Sequence, residues 1–308
     1  MTSSVKIKVV GVGGSGGNAI FRMKKFGIKG VDLIAMNTDY QDLKKIKADV
    51  KLKLGGEITQ GLGTGMNPEI GEAAAIQNRK EIKEVLKGAD MVFVTGGLGG
   101  GTGSGAAPVV AKIAKNLGAL TVAIVTLPFS FEGAYRKRIA ENSKESLKGQ
   151  VDALLAIRND KLLEIIDPKT SLVNAFWICD DILREAVKGI SDLILLPGIV
   201  NVDFADVKSI LRHSGTALFG IGKGKGEKRA EEAVRFALNS PLLDFTPKGA
   251  RGVLFNVSGG DVSLSEIEEI GRIITKEINP RAKVIFGAVQ NEKLNKGEIK
   301  VTVIVTGF

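Results

Sequence analysis

The chain has 308 residues, 44% hydrophobic and 25% charged, enough to bury a substantial core and more than one small domain needs, so two domains are expected. One cysteine, Cys179, excludes an internal disulfide and a cysteine-based zinc cluster, and one histidine, His213, argues against a histidine metal site or a Ser-His-Asp triad. The net charge of +9 comes from basic residues dispersed along helices, densest at Lys223, Lys225, Lys228 and Arg229, which reads as solvated surface, and no specific nucleic acid is expected.

Residues 5–10 read as the first strand, so close to the N-terminus that a signal peptide is not expected. No apolar run approaches membrane-spanning length, and the cytoplasm is the expected compartment. Gly11-Val12-Gly13-Gly14-Ser15-Gly16-Gly17-Asn18 follows, then an amphipathic stretch with Ala19, Ile20 and Met23. The turn contains G-x-G-x-x-G after a strand, with Asp32 and Asp39 downstream as ribose ligands, so a dinucleotide site stays open at this point. Residues 31–36 are the second strand, closed by Asn37-Thr38-Asp39, which taken alone is an Asx-type turn. The segment from Gly61 to Glu69 reads as a mobile loop running into a helix, with Asn67 as N-cap, Pro68 at the first helical position and Glu69 on the dipole.

A buried strand at 91–95 leads to Gly96-Gly97-Leu98-Gly99-Gly100-Gly101-Thr102-Gly103-Ser104-Gly105-Ala106-Ala107-Pro108, and helical periodicity resumes at 109–114. Such a stretch suits a backbone lying flat against a bulky anion, its N–H groups turned inward and a helix N-terminus behind it. The cradle is read as amides and one hydroxyl, Thr102; without a lysine it is not a P-loop. A flexible loop with no ligand is the plainer alternative. Two glycine-rich strand-to-helix turns in one domain are better explained by one nucleotide whose phosphates lie between them.

Residues 120–126 form another strand, after which Glu132 and Arg136 stand i, i+4, the spacing of a surface ion pair. A strand at 152–157 precedes Asn159-Asp160-Lys161-Leu162-Leu163. Residues 172–195 read as one long helix, with Leu172, Phe176, Cys179, Leu183, Val187, Ile190 and Ile194 on one face, sandwiched between two domains. Pro197 then opens a segment in which Asp203 caps a helix and Asp206 sits in its first turn. The remainder reads as a second α/β unit: strand 217–222, helix 227–238, strand 252–257, helix 264–278, and strands 283–289 and 298–306, with no catalytic constellation.

Gly99-Gly100-Gly101-Thr102-Gly103-Ser104-Gly105 resembles the G-G-G-T-G-[ST]-G signature of the tubulin superfamily, and its flanks resemble the FtsZ family of bacterial and archaeal division proteins. N-V-D-F-A-D-V at 201–207 resembles a second family signature, and the resemblance covers essentially the whole chain. It implies an α/β fold: a Rossmann-like GTPase domain with a mainly parallel sheet over 1–171, a long central helix over 172–196, and a smaller α/β C-terminal domain over 197–308. It implies GTP/GDP and Mg²⁺ as ligands, with no metal ligands assigned. Gly13, Gly14, Ser15, Gly16, Gly17 and Asn18 match the α/β-phosphate loop; Ser15 replaces the commoner glycine, acceptable if its φ is negative and its hydroxyl points away.

Thr38 matches a position near the phosphates and magnesium, Gly65 the γ-phosphate-sensing loop, and Gly97, Gly99, Gly100, Gly101, Thr102 and Gly103 the cradle. The resemblance puts Glu132 on the ribose, Arg136 near base and ribose, and Asn159 on the nucleoside, although Arg158 replaces the usual proline. Phe176 stacks on the purine or simply packs in the core. Asp181 matches the carboxylate that accepts the guanine N1–H and N2–H, with Asp180 in place of the usual asparagine. Asn201, Asp203 and Asp206 match residues that enter the next subunit's pocket and orient the attacking water. The implied protein is a GTPase polymerising head-to-tail into division filaments at the division site, without membrane insertion and with division-associated adaptors as further partners; many members bind these through a terminal peptide that the residues up to Phe308 do not include. The rival readings are a tubulin-like scaffold with little hydrolysis and an NAD-dependent oxidoreductase.

Overall fold

The computed structural model describes residues 5–164, 166–196, 198–240, 247–290 and 294–308. Two compact units divide the chain, Met1–Lys188 and Gly189–Phe308.

The first unit holds strands β1 (Ile7–Val12), β2 (Val31–Asn37), β3 (Val50–Lys53), β4 (Met91–Gly97), β5 (Leu120–Leu127) and β6 (Ala153–Arg158). Its helices are α1 (Gly13–Lys25), α2 (Tyr40–Lys45), α3 (Gly56–Thr59), α4 (Pro68–Gln77), α5 (Arg79–Leu86), α6 (Gly101–Asn116), α7 (Ala134–Gln150) and α8 (Asn159–Leu162). A long helix, α9 (Leu172–Leu195), follows, and the division between the units falls inside it. The second unit comprises α10 (Phe204–Leu211), β7 (Gly215–Lys225), α11 (Arg229–Leu238), β8 (Gly252–Gly259), α12 (Leu264–Glu277), β9 (Lys283–Gln290) and β10 (Glu298–Thr306).

The strands of the first unit run in the order β3-β2-β1-β4-β5-β6, every neighbouring pair parallel. β4 and β5 are buried almost throughout, as a parallel sheet covered on both faces requires. One face packs Val10, Ile34, Val94 and Ala123 against Val110 and Ala114 of α6. The strand order reverses between β1 and β4, which leaves a crevice at their carboxyl ends where ligands of such sheets bind. In the second unit β10 pairs antiparallel with β7 and β8, and β8 pairs parallel with β9. α11 and α12 cover this sheet through Ala233, Val234, Ile270 and Ile274.

The glycine signatures differ from their reading as loops. β1 runs on to Val12 and α1 starts at Gly13; β4 runs to Gly97 and α6 starts at Gly101, so Gly13 to Gly17 and Gly101 to Gly105 are helical. Glycine has poor helix propensity, and tertiary packing overrides it here. A Cβ on Gly105 would lie 1.9 Å from the Pro68 carbonyl oxygen, and one on Gly71 2.4 Å from that of Gly101: α4 and α6 cross backbone to backbone. A Cβ on Gly16 would meet the Thr95 carbonyl oxygen at 2.7 Å, so this glycine seats α1 on the sheet. Pro108, inside α6, has no N–H for the Ser104 carbonyl four residues back, and Ser143 Oγ donates to that carbonyl instead at 2.7 Å.

Candidate functional site

The crevice is an open cleft of about 250 Å³. Its floor comes from strand ends and the turns after them: Val12 of β1, Gly97 of β4, Leu98, Thr126 of β5 and Pro128. Gly13, Gly14 and Ser15 open α1 on one side, and Gly100, Gly101, Thr102 and Gly103 open α6 on the other. Neither helix has a side-chain N-cap among the described residues, and neither has an acidic residue in its first turn. Each start therefore presents uncapped N–H groups and a partial positive charge to one cleft, an anion site of about half a charge per helix.

Side chains fix the cradle's shape. Ser104 Oγ accepts from the Gly99 N–H at 2.8 Å, making a second working hydroxyl beside the Thr102 read from the sequence. Thr38, fully buried, shares a 2.6 Å hydrogen bond with the Thr102 hydroxyl, while the Leu98 N–H donates to the Thr126 carbonyl at 2.8 Å. Ser15 has negative φ, as its position requires. Its hydroxyl lies against Gly97, within 3.0 Å of where a Cβ there would stand, and Ser15 lines the cleft rather than turning away from it. Asn67 caps α4 as expected, accepting from the Glu69 N–H at 2.9 Å, and the preceding loop sets Thr64 against the cleft.

Around the remaining wall stand Glu132, Arg136, Asn159, Phe176, Cys179 and Asp180. Arg136 Nη1 donates to Glu132 Oε2 at 2.7 Å, and Glu132 Oε1 accepts from the Phe129 N–H at 2.9 Å. The pair seen as i, i+4 in the sequence is thus both an ion pair and part of the wall. Phe176 is exposed, packs edge-on with Phe129 at 5.5 Å between ring centroids, and lines the cleft. Asn159 is buried, and its Oδ1 has no hydrogen-bond partner among the described residues. A buried acceptor left unpaired at a cleft wall costs stability unless a ligand or water completes it. Burial pushes the Cys179 thiol up to about 12, so it faces the cleft protonated.

Asp180 lines the cleft and Asp181 does not. Asp181 accepts from Arg184 Nε at 2.7 Å, on its own helix. Asp180 is buried, receives Arg22 Nε at 3.4 Å, and burial raises its carboxyl to about 6 against the opposing pull of that guanidinium. At about 100° per residue, Phe176, Cys179 and Asp180 fall within one arc of α9 that faces the cleft, and Asp181 falls outside that arc. Of the two adjacent acids, Asp180 is therefore the one that faces the cleft.

Of the other expected residues, Gly16, Gly17, Asn18, Thr38, Gly65 and Gly99 lie outside the lining set; Gly16 acts through packing, Thr38 and Gly99 through the hydrogen bonds above. Asp39 caps α2 by accepting from the Asp42 N–H, and Asn37 holds Asp42 and the Asp39 N–H, which is the Asx-turn reading. Asn201, Asp203 and Asp206 belong to the second unit. Asn201 Oδ1 accepts from the Gly198 N–H at 2.7 Å. Asp203 occupies the N-cap position of α10, but its carboxylate accepts no cap hydrogen bond among the described residues, which corrects its reading as a capping side chain; it is exposed. Asp206 is half-exposed, with Lys283 Nζ 3.8 Å away. Pro197, at the head of this segment, lies outside the described residues.

Among the described residues no group of three His, Cys, Asp or Glu could hold a metal ion, and no helix is long and apolar enough to cross a membrane. The profile of the Tubulin/FtsZ family, GTPase domain, matches residues 6–167, and that of the FtsZ family, C-terminal domain, matches residues 215–308. Cell division protein FtsZ 1 of Thermococcus kodakarensis is 53% identical over 302 residues, 98% of this chain and 80% of that protein. The fold is similar to an empty FtsZ dimer of M. jannaschii at a TM-score of 0.96 and 48% identity, over 100% of this chain and 89% of that one. It is also similar to a GTPγS-bound protofilament of CetZ2 from Haloferax volcanii, at a TM-score of 0.80 and 25% identity, over 98% and 92% of the two chains. The cleft at the strand-order reversal, the two helix starts that frame it, and these similarities together make the chain a member of the FtsZ family of tubulin-like cell-division GTPases.

Proposed function

We propose that the cleft binds GTP with Mg²⁺, that hydrolysis occurs only between subunits stacked head-to-tail, and that the resulting cytoplasmic filaments act at the division site. The observation that carries this reading is an imbalance in the cleft. It is built to receive phosphates, yet the carboxylates lining it among the described residues, Glu132 and Asp180, are both already paired with arginines. In this reading both also serve the nucleoside, and neither is left to orient the attacking water. Asp203 and Asp206 are exposed or half-exposed on the other unit, as groups meant for a neighbour would be.

In this reading the N–H groups opening α1 and α6 hold the phosphates, with the Thr102 and Thr64 hydroxyls beside them. Phe176 stacks on the purine, Asn159 Oδ1 gains its missing donor from the nucleoside, and Asp180 accepts the guanine N1–H and N2–H, a donor pair adenine lacks. Glu132 and Arg136 hold the ribose. Magnesium would accompany the triphosphate in the cleft and would supply charge neutralisation on the transferring phosphoryl group. The neighbour's Asn201, Asp203 and Asp206 orient the attacking water, and positioning supplies most of the catalysis. The contact is heterologous and so propagates into a filament. Division-associated adaptors are the further partners expected.

The test is turnover against protein concentration. Turnover per protomer rises cooperatively from near zero and levels off once filaments form. Asp206→Ala binds GTP and assembles but loses on the order of a hundredfold or more in turnover. Equal turnover per protomer at all concentrations, or a normally active Asp206→Ala filament, would remove the shared site and leave a self-sufficient cleft.

A further inference from the structure

Behind the cleft wall, on the side away from its lining, α1 contributes a residue that the sequence reading passed over. Arg22 is 8% exposed, and its Nε lies 3.4 Å from Asp180 Oδ2, across 158 residues of chain. Its guanidinium carbon sits 4.2 Å from the centroid of the Trp177 ring, a cation–π distance. Both side chains of the Arg22–Asp180 pair are 10% exposed. Arg22 and Trp177 do not line the nucleotide cleft; they line an adjoining pocket, and Phe176 and Asp180 are common to both.

This arrangement is a poor stability device. Two charges are taken out of water for one pair, and an apolar pair of the same volume would serve packing as well or better. It is a good device for holding a carboxylate in one orientation. A carboxylate has about four acceptor sites, so Arg22 can occupy one and leave others for the ligand. An ionised Asp180 accepts two donors side by side. A protonated one carries a hydrogen of its own and no longer tells guanine from a base lacking those donors.

We propose that Arg22, clamped under Trp177, is the positioning residue for base selection in this chain: it orients Asp180 toward the purine without touching the nucleotide. The proposal rests on the reading of the cleft as a GTP site with Asp180 at the base. The charged and titratable groups around Asp180 are Arg22 and Lys25 from α1, Glu132 and Arg136 across the cleft, and Cys179 and Asp181 on α9 itself. Of these Arg22 is the one in direct contact, and it favours the ionised form against the effect of burial. GTP affinity therefore falls as pH drops through about 6, and removing Arg22 moves that midpoint upward.

The experiment measures GTP, ITP and ATP binding across pH for the full chain and for Asp180→Asn, Arg22→Gln, Arg22→Lys and Trp177→Leu. Arg22→Gln is expected to lose about tenfold to a hundredfold in GTP affinity, to lose most of its preference for GTP over ITP and ATP, and to show a higher pH midpoint. Arg22→Lys restores the midpoint, and Trp177→Leu shifts it in the same direction as Arg22→Gln but less. A folded Arg22→Gln that keeps both its GTP-to-ITP ratio and its pH midpoint overturns the proposal. Should Arg22→Gln fail to fold, Trp177→Leu carries the test, and an unchanged ratio and midpoint there overturn it equally. If Asp180→Asn leaves guanine preference intact, the assignment of Asp180 to the base is what fails, and Arg22 falls with it.

Discussion

Two glycines of the same signature, Gly100 and Gly105, separate ligand binding from folding. Gly100 precedes α6 at φ −94, with nothing described within 4 Å of an added Cβ, and it lines the cleft. Gly105 stands four residues into the helix, where an added Cβ would lie 1.9 Å from the Pro68 carbonyl oxygen and 2.6 Å from the Glu72 nitrogen. Both obstacles are backbone of α4, so they cannot swing aside as a side-chain tip would. To restore ordinary contact, α4 and α6 must separate by more than an ångström, which loosens the packing of Ala74 and Ala75 against α6. Overpacking of this kind costs about 1–3 kcal/mol, and with backbone as the obstacle Gly105→Ala belongs at the upper end. At about 2–4 °C per kcal/mol for a unit of this size, its melting temperature falls by roughly 6–12 °C. Gly100→Ala costs about 1 kcal/mol at most, but its methyl group stands in the cradle and weakens GTP binding. Thermal melts of the nucleotide-free chain paired with GTP titration calorimetry give both numbers. If Gly105→Ala melts like the parent, or Gly100→Ala binds GTP as tightly as the parent, the division of labour assigned to the signature is refuted.

The Asp180 carboxyl has a second consequence, in stability. Burial raises it from 3.8 to about 6, so the folded chain holds this proton more tightly than the unfolded chain does. Its contribution is complete below about pH 4 and is lost as pH rises through about 6, a change of about 3 kcal/mol. Melts of the nucleotide-free chain and Asp180→Asn near pH 4 and near pH 8 check this: the parent's stability relative to the variant falls with rising pH, and a pH-independent difference contradicts it. In the second unit, the buried Arg229 bonds Glu266 Oε1 at 2.5 Å and Asp261 Oδ1 at 2.7 Å, joining the start of α11 to the start of α12. Arg229→Met removes these charge-assisted bonds, while Glu266 keeps its bonds from Ser263 and Asp261 stays solvated, and costs about 1–2 kcal/mol by chemical denaturation, with GTP affinity unchanged; an unaltered denaturation midpoint counts against it.

Much of this architecture is legible in the chain, and the reasons differ by element. α9 has its expected bounds because apolar residues recur every three or four positions from Leu172 onward, and β10 because Glu298–Thr306 is a β-branched run buried on both faces. The starts of α1 and α6 are not legible in the same way. Local propensity makes glycine a loop residue, and only the close approach of α4 and the sheet explains helical glycines. Asp180 was recoverable: Phe176 and Asp180 stand i, i+4, which puts them on one face and turns Asp181 away. Arg22 gave no such signal, since it reads as one more basic residue near the end of a helix until folding brings α9 beside it. Thr64, among flexible glycines, and the Ser104–Gly99 bond depend on loop geometry that periodicity does not encode.

Complementation between two defective chains tests the shared active site most directly. Asp206→Ala keeps the cleft and lacks an acid; Gly100→Glu keeps the acids and carries a carboxylate where the phosphates belong. Neither turns over GTP alone, and the account predicts that mixing them restores turnover, because the cleft of one is completed by the acids of the other. Mixed filaments that assemble yet remain inactive, or an Asp206→Ala chain active by itself, would contradict it.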